Sequence, residues 1–163
     1  MDLCTPEERR LYAQRVWNLI ITTYKEYGNS EDGNLYGAQM ENLIETPGLW
    51  KLVERDGEII AGVIFRKFKG NKMRLVFHNN TREGKNMLKA LFLDEFRHGR
   101  CWGECSGHLE RILREECVPM IPNTKAAEIL GKEITRLDPD GMHYEREVFP
   151  RITKREMLFG RVD

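Results

Sequence analysis

Arg74-Leu-Val-Phe-His-Asn-Asn-Thr-Arg-Glu-Gly-Lys-Asn-Met-Leu-Lys-Ala-Leu91 changes its hydrophobic period halfway along, and the fold turns on that change. Over Lys72–His78 the apolar residues Met73, Leu75 and Phe77 alternate with charged or smaller ones, the period of a half-buried strand. Asn79-Asn-Thr-Arg-Glu-Gly84 is a run of turn formers. Beyond it Met87, Leu88, Leu91, Phe92 and Phe96 recur at three- and four-residue steps, which predicts a helix over 85–97. A helix opening at Gly84 offers unpaired backbone N–H groups and the positive end of its dipole, the place where phosphates bind. Glycine there lets the backbone approach an anion with no Cβ in the way. Arg82, Lys85 and Lys89 add positive charge at the same place. An ordinary helix entry with solvated basic residues is the alternative reading.

The elements on either side are legible in the same way. Leu49–Glu54 and the mostly apolar Ile59–Phe65 flank Asp56-Gly57, a strong short hairpin signal, and Lys69-Gly-Asn71 turns the chain into Lys72–His78. Together they predict a three-stranded antiparallel meander. Upstream, Thr5-Pro-Glu-Glu8 is a capping box with proline at the first helical position. Ala13, Val16, Trp17, Ile20, Tyr24 and Tyr27 carry that amphipathic helix over about 6–27, so the chain is expected to start on a helix with no strand before it. A shorter helix over 35–45 is expected to end before Pro47-Gly48. Downstream the reading is a strand over Arg100–Cys105, a helix near His108–Glu116, and a helix from Asn123 or Thr124 to Leu130, closed by Gly131. A hairpin of Glu133–Leu137 and Met142–Val148 follows. That makes one domain over 1–149 and a tail over 150–163, where Lys154, Arg155 and Arg161 surround Met157-Leu-Phe159; the tail is expected to pack on a neighbour or stay loose.

With 163 residues, 40% of them hydrophobic and 32% charged, the chain can bury one core and is not a disordered segment. No apolar run approaches the ~20 residues of a membrane span, and the acidic Met1–Glu8 has no apolar stretch of an export signal, so a cytoplasmic location is expected. Net charge is zero but unevenly spread. Residues 1–65 hold 6 basic and 11 acidic side chains, residues 66–100 hold 10 and 3, and residues 101–163 hold 10 and 12. The basic middle points to an anionic ligand or partner, or to a solvated face. Cys4, Cys101, Cys105 and Cys117 are expected to be free thiols. Cys101, Cys105, His108 and Cys117 invite a zinc reading, but residues i and i+4 of a strand lie ~13 Å apart, too far for one tetrahedral ion, so no metal is expected.

The order helix, helix, three-stranded meander, helix, strand, helix, hairpin resembles the GNAT acetyltransferase superfamily over about residues 5–149. Asp56-Gly-Glu-Ile-Ile-Ala-Gly-Val63 is similar to that family's second hairpin, and the strand–loop–helix of 74–91 stands where the family binds an acyl-CoA pyrophosphate. Asn123-x-x-Ala126-Ala127-x-x-Leu130-Gly131 resembles its later helix, and Gly141-Met-His-Tyr-Glu-Arg-Glu147 its final strand. In the phosphate loop, Thr81–Asn86 matches the family pattern in place only at Gly84, with Arg82 one position late; the family's helix tyrosine stands here as Leu130. The resemblance implies an α+β fold, layered α/β/α, with a central, mostly antiparallel sheet of about six strands flanked by helices.

The same resemblance implies an acyl-CoA-dependent N-acyltransferase that takes acetyl-CoA, or another acyl-CoA, as co-substrate and passes the acyl group to an amine of a protein or small molecule. The residues assigned to the acyl-CoA are Leu75, Val76, Phe77, Arg82, Gly84, Lys85, Asn86 and Asn123, with the strand amides at 75–77 as donors to the thioester oxygen. Such chemistry needs a base for the ammonium proton. Glu104, in a strand of Cys, Trp and Gly, and His78, at the end of the meander, are the candidates, and Tyr144 is the candidate acid. Cys105 and Ser106 could be nucleophiles, though nothing adjacent activates them. The competing readings are a nucleic-acid modifier of phage type, whose basic segment meets phosphates, and a GNAT-like binding module without catalysis. A homodimer is compatible with all three.

Overall fold

The computed structural model describes residues 1–23, 40–105, 107–121, 125, 128, 143–144 and 156–162. The chain divides into two compact units, Met1–Phe92 and Leu93–Asp163. Among the described residues no helix is long and apolar enough to cross a membrane.

In the first unit, strand β1 (Asp2–Leu3) precedes helix α1 (Pro6–Thr23). Helix α2 (Glu41–Glu45), strands β2 (Gly48–Arg55), β3 (Glu58–Lys67) and β4 (Asn71–His78), and the start of helix α3 (Arg82–His98) follow. The strands stand in the order β1-β2-β3-β4, every pair antiparallel. The expected meander is therefore present, and the expectation that no strand precedes α1 is corrected: Asp2 and Leu3 pair with Lys51 and Trp50. Two residues are too short for a periodic signal, and their pairing is decided by β2, about fifty residues away.

The local signals that worked did so through identifiable bonds. Thr5 caps α1, its hydroxyl accepting the Glu8 amide at 3.2 Å and donating to the Glu8 carboxylate at 2.9 Å. Asp56 and Gly57 both have positive φ, 53° and 80°, the geometry of a two-residue type I′ turn that matches the twist of β2 and β3. The apolar stripe of α1 (Ala13, Val16, Trp17, Ile20) packs with Leu43 and Ile44 of α2, Trp50 and Leu52 of β2, Ile64 of β3 and Phe77 of β4 in one buried cluster. Two bulges bend β3. The β2–β3 register shifts between Val53 and Glu54, leaving Ile60 as the extra residue, and the β3–β4 register shifts between Ile64 and Phe65, leaving Arg74 as the extra residue.

In the second unit, β5 (Cys101–Cys105) is followed by α4 (Gly107–Glu115), β6 (His143–Tyr144) and β7 (Glu156–Gly160). The order β5-β7-β6 is antiparallel throughout. The stretch 150–163, read above as a tail, contributes β7, and its Leu158 and Phe159 are fully buried together with Cys101, Trp102 and Leu113. The expected helix from Asn123 to Leu130 and the expected strand Glu133–Leu137 lie outside the described residues or nearly so. Met142–Val148 is described only at His143 and Tyr144, which pair with Met157 and Glu156. Among the described residues Cys4, Cys101 and Cys117 form no disulfide.

Candidate functional site

The loop from β4 to α3 is built so that almost every backbone amide in it is already used. The His78 amide donates to the hydroxyl of Thr23 at the end of α1, 2.9 Å away. That hydroxyl lies 3.2 Å from the His78 carbonyl and 2.9 Å from the Leu19 carbonyl, which share its one hydrogen. The Asn79 amide donates to the Ile60 carbonyl of the β3 bulge at 2.9 Å. The Asn80 amide donates to His78 Nδ1 at 2.9 Å, and Asn80 itself takes the left-handed φ of 63°. The Thr81 amide donates to Asn79 Oδ1 at 3.1 Å.

Thr81 is the residue that caps α3. Its hydroxyl accepts the Gly84 amide at 3.0 Å and its carbonyl accepts the Lys85 amide at 3.0 Å. The helix therefore begins at Arg82, three residues before the expected start, and the Gly84 amide expected to face an anion is bonded to Thr81 instead. The amides left at the N-terminus, with no partner among the described residues, are those of Arg82 and Glu83. Gly84 is required for a different reason from the one its sequence position suggested. A Cβ there would lie 2.1 Å from Asn79 Oδ1 and 2.9 Å from the Ile60 carbonyl oxygen, so the helix can sit on the loop and on β3 only with no side chain at this point.

Around those two amides the charge is positive. Arg82, Lys85 and Lys89 are exposed on the first turns of α3, as is Asn86. Glu83 pairs with Arg55 at the end of β2, at 3.3 Å, which offsets the one carboxylate at the helix start. Burial and then the charge of Lys85 hold the His78 imidazole below its ordinary 6.5, so it is neutral at pH 7. With Nδ1 accepting from Asn80, its proton resides on Nε2, and His78 presents a donor to any ligand.

The amides of β4 alternate in direction, and β3 lies on one side of the strand. Because the Asn79 amide bonds to Ile60 and antiparallel pairs alternate, the Leu75 and Phe77 amides point toward β3, and the Val76 and His78 amides point away from it. His78 is used by Thr23. Of the three strand residues assigned to the thioester, Val76 is thus the one whose amide faces away from the meander; Phe77 is fully buried, its ring against Gly62.

The structure brings together His78, Leu75, Val76, Phe77, Arg82, Gly84, Lys85 and Asn86 in the first unit. Glu104 and Tyr144 stand in the second, opposite Leu158 and Glu156, alternate positions of β7. Asn123 and Ser106 lie outside the described residues. Among the described residues no group of three or more His, Cys, Asp or Glu is placed to hold a metal ion. The loop residues that matter most locally, Asn79 and Thr81, were not singled out from sequence. Thr81 three residues before a glycine lacks the Glu or Gln that completes a capping box, so the signal there was half a motif.

His78 yields a pH prediction. Its imidazole binds its proton less readily in the folded chain than in the unfolded one, so protonation favours unfolding. Above 6.5 both states are neutral there and nothing is lost; as pH falls through 6.5 toward the lower folded value, stability falls. Urea titrations between pH 7.5 and pH 5 are expected to show a steeper acid loss in the native chain than in His78→Gln. Equal slopes would show that His78 titrates as it does in water.

No family model and no characterised sequence relative matches the chain. Solved structures do match it. An aminoglycoside 6'-acetyltransferase type Ii aligns with a TM-score of 0.57 at 10% identity, covering 99% of this chain and 96% of that one. The diaminobutyrate acetyltransferase EctA from Paenibacillus lautus, solved with its substrate L-2,4-diaminobutyric acid and coenzyme A, aligns with a TM-score of 0.52 at 15% identity, covering 98% and 93%. At such identities the likeness is one of fold. The chain has a GNAT-like α+β fold, that of the GNAT acetyltransferases.

Proposed function

We propose that this chain is an acyl-CoA-dependent N-acyltransferase that transfers an acetyl group from acetyl-CoA to the amine of a small molecule or protein. The observation that carries the reading is the start of α3: two amides without a partner among the described residues, Arg82 and Glu83, at the positive end of a seventeen-residue helix whose first turns expose Arg82, Lys85 and Lys89, in a GNAT-like fold. The diphosphate of a coenzyme A fits such a place by charge and by hydrogen bonding. It is held there more by side chains than by the loop backbone, since the amides of residues 78–81 and 84 are engaged within the chain.

The acyl carbonyl then accepts from the outward amide of Val76. A neutral acceptor amine attacks that carbonyl and the C–S bond breaks. The amine's proton goes to a base and the leaving thiolate takes one from an acid. His78, with its basic nitrogen bonded to Asn80, suits contact with the ligand through Nε2–H better than it suits proton removal. Glu104 is accordingly the base of this reading and Tyr144 the acid, the acyl group and the acceptor being otherwise open.

Thermal unfolding with and without acetyl-CoA, and with free CoA as companion, tests the reading. At ~100 times its dissociation constant a ligand of the folded state adds ~2.7 kcal/mol. The expected result is a rise with both ligands, reduced in the double variant Arg82→Glu, Lys85→Glu, whose affinity falls about tenfold or more. These exposed positions are better probes than Gly84, where any side chain meets Asn79. A second reading, a GNAT-like binding module without catalysis, is favoured by how completely Asn79 and Thr81 occupy the loop amides. No shift with either ligand would support it and sink the acyltransferase.

A further inference from the structure

We infer that Asn79 is a positioning residue: its side-chain oxygen sets where α3 begins and thereby aims the Arg82 and Glu83 amides at the ligand, an inference that rests on the acyl-CoA reading above. The bonds form one chain from sheet to helix. Asn79 is tied to β3 through its own amide on the Ile60 carbonyl, at 2.9 Å. Its Oδ1 accepts from the Thr81 amide at 3.1 Å and from the Thr81 hydroxyl at 2.5 Å. Because that hydroxyl spends its single hydrogen on Asn79, its lone pairs are left for the Gly84 amide at 3.0 Å. The cap of α3 is thus oriented by Asn79 rather than by Thr81 alone.

Gly84 completes the arrangement from the helix side. The space its missing Cβ leaves is occupied by Asn79 Oδ1, which a methyl group would approach to 2.1 Å. Asn79 and Gly84 are a matched pair: the oxygen needs the vacancy, and the helix, seated against the loop, needs the oxygen to satisfy its cap. The left-handed φ of Asn80, 63°, turns the chain between Asn79 and Thr81 so that these bonds form together. The Asn79 side-chain nitrogen Nδ2 has no partner among the described residues, so the side-chain oxygen alone does this work. Aspartate therefore preserves the geometry and changes only the charge.

That difference supplies the experiment. Acetyl-CoA affinity is measured by calorimetry on the folded native chain, Asn79→Ala and Asn79→Asp, at low and high salt, alongside amide hydrogen exchange of residues 81–85. The alanine variant is expected to exchange about fivefold faster at Gly84, as for a lost helix cap, and to bind acetyl-CoA about tenfold more weakly at either salt concentration. The aspartate variant is expected to keep native exchange at Gly84. Its affinity falls at low salt through like-charge repulsion and returns toward native as salt screens it. Faster exchange in the alanine variant with native affinity would mean a purely structural role and overturn the inference. So would native exchange at Gly84 in that variant. If the native chain itself binds no acetyl-CoA, the acyl-CoA reading falls and the inference with it, a result distinct from failure of the alanine variant alone.

Discussion

Replacing Arg9 by methionine is expected to lower the stability of the fold by about 3–5 kcal/mol, among the largest effects of any single substitution in the chain. Arg9 lies in the first turn of α1 and is 1% exposed, yet no carboxylate bonds it among the described residues. Its guanidinium donates instead to four backbone carbonyls: Ile44 at 2.6 Å, Thr46 at 3.1 Å, Cys4 at 3.0 Å and Gly48. These come from the segment before α1, the end of α2 and the start of β2, so one side chain satisfies the carbonyls where three segments meet. Burial pulls the Arg9 guanidinium below its ordinary value, with Cys4, Glu8 and Glu45 pulling the other way. Methionine fills similar volume but removes the guanidinium donor from all four acceptors. Lysine, with a compact ammonium in place of a planar fork, is expected to recover only part of the loss. Urea unfolding of the two variants checks this; a methionine variant within about 1 kcal/mol of native would show that water replaces the guanidinium at little cost.

The second large effect is expected at Gly160→Ala, a loss of about 2–5 kcal/mol. Gly160 ends β7 with a φ of 98°, where an L side chain is strained. An added Cβ would lie 2.2 Å from the Cys101 carbonyl oxygen and 2.9 Å from Trp102 Cα, both of them backbone of β5, which cannot swing aside as a flexible side chain can. The residues around it are tightly bonded: the Gly160 amide donates to the Pro119 carbonyl at 2.8 Å and the Arg161 amide to the Cys101 carbonyl at 2.7 Å. Thermal unfolding, with hydrogen exchange at Trp102 and Leu158, should show the second unit opening first. Exchange raised equally in β2 and β3 would mean that the two units unfold as one.

Features held by neighbouring residues were legible in the chain. Thr5 and Glu8 cap α1 through bonds three residues long, and Asp56-Gly57 specifies its hairpin because few other pairs adopt two successive positive φ values. The stripe of Leu88, Phe92 and Phe96 marked α3 by its period, although its start was placed late: the cap at Thr81 lacks a complementary acid at Gly84. Arg9 could have been noticed as a cation on the apolar stripe of α1, four residues before Ala13. Its partners could not, since they are carbonyls and carry no sequence identity.

What the sequence by itself determined is α1, the β2–β4 meander, α3, β5 and α4 in their order, and with them the likeness to a GNAT-like fold, because periodicity and turn chemistry act within a few residues. The tertiary structure decided the rest. It paired Asp2–Leu3 with β2, and it made a strand of Glu156–Gly160, part of the stretch 150–163 that reads in the sequence as a tail, by setting it between β5 and β6. It also settled the meaning of Gly84: an open approach for an anion in the sequence, and in the fold a seat for Asn79. The physical reason is common to all three. Each depends on a hydrogen-bond partner or a close contact supplied by backbone or side chain elsewhere in the fold, and which group comes to stand there is fixed only when the whole chain packs.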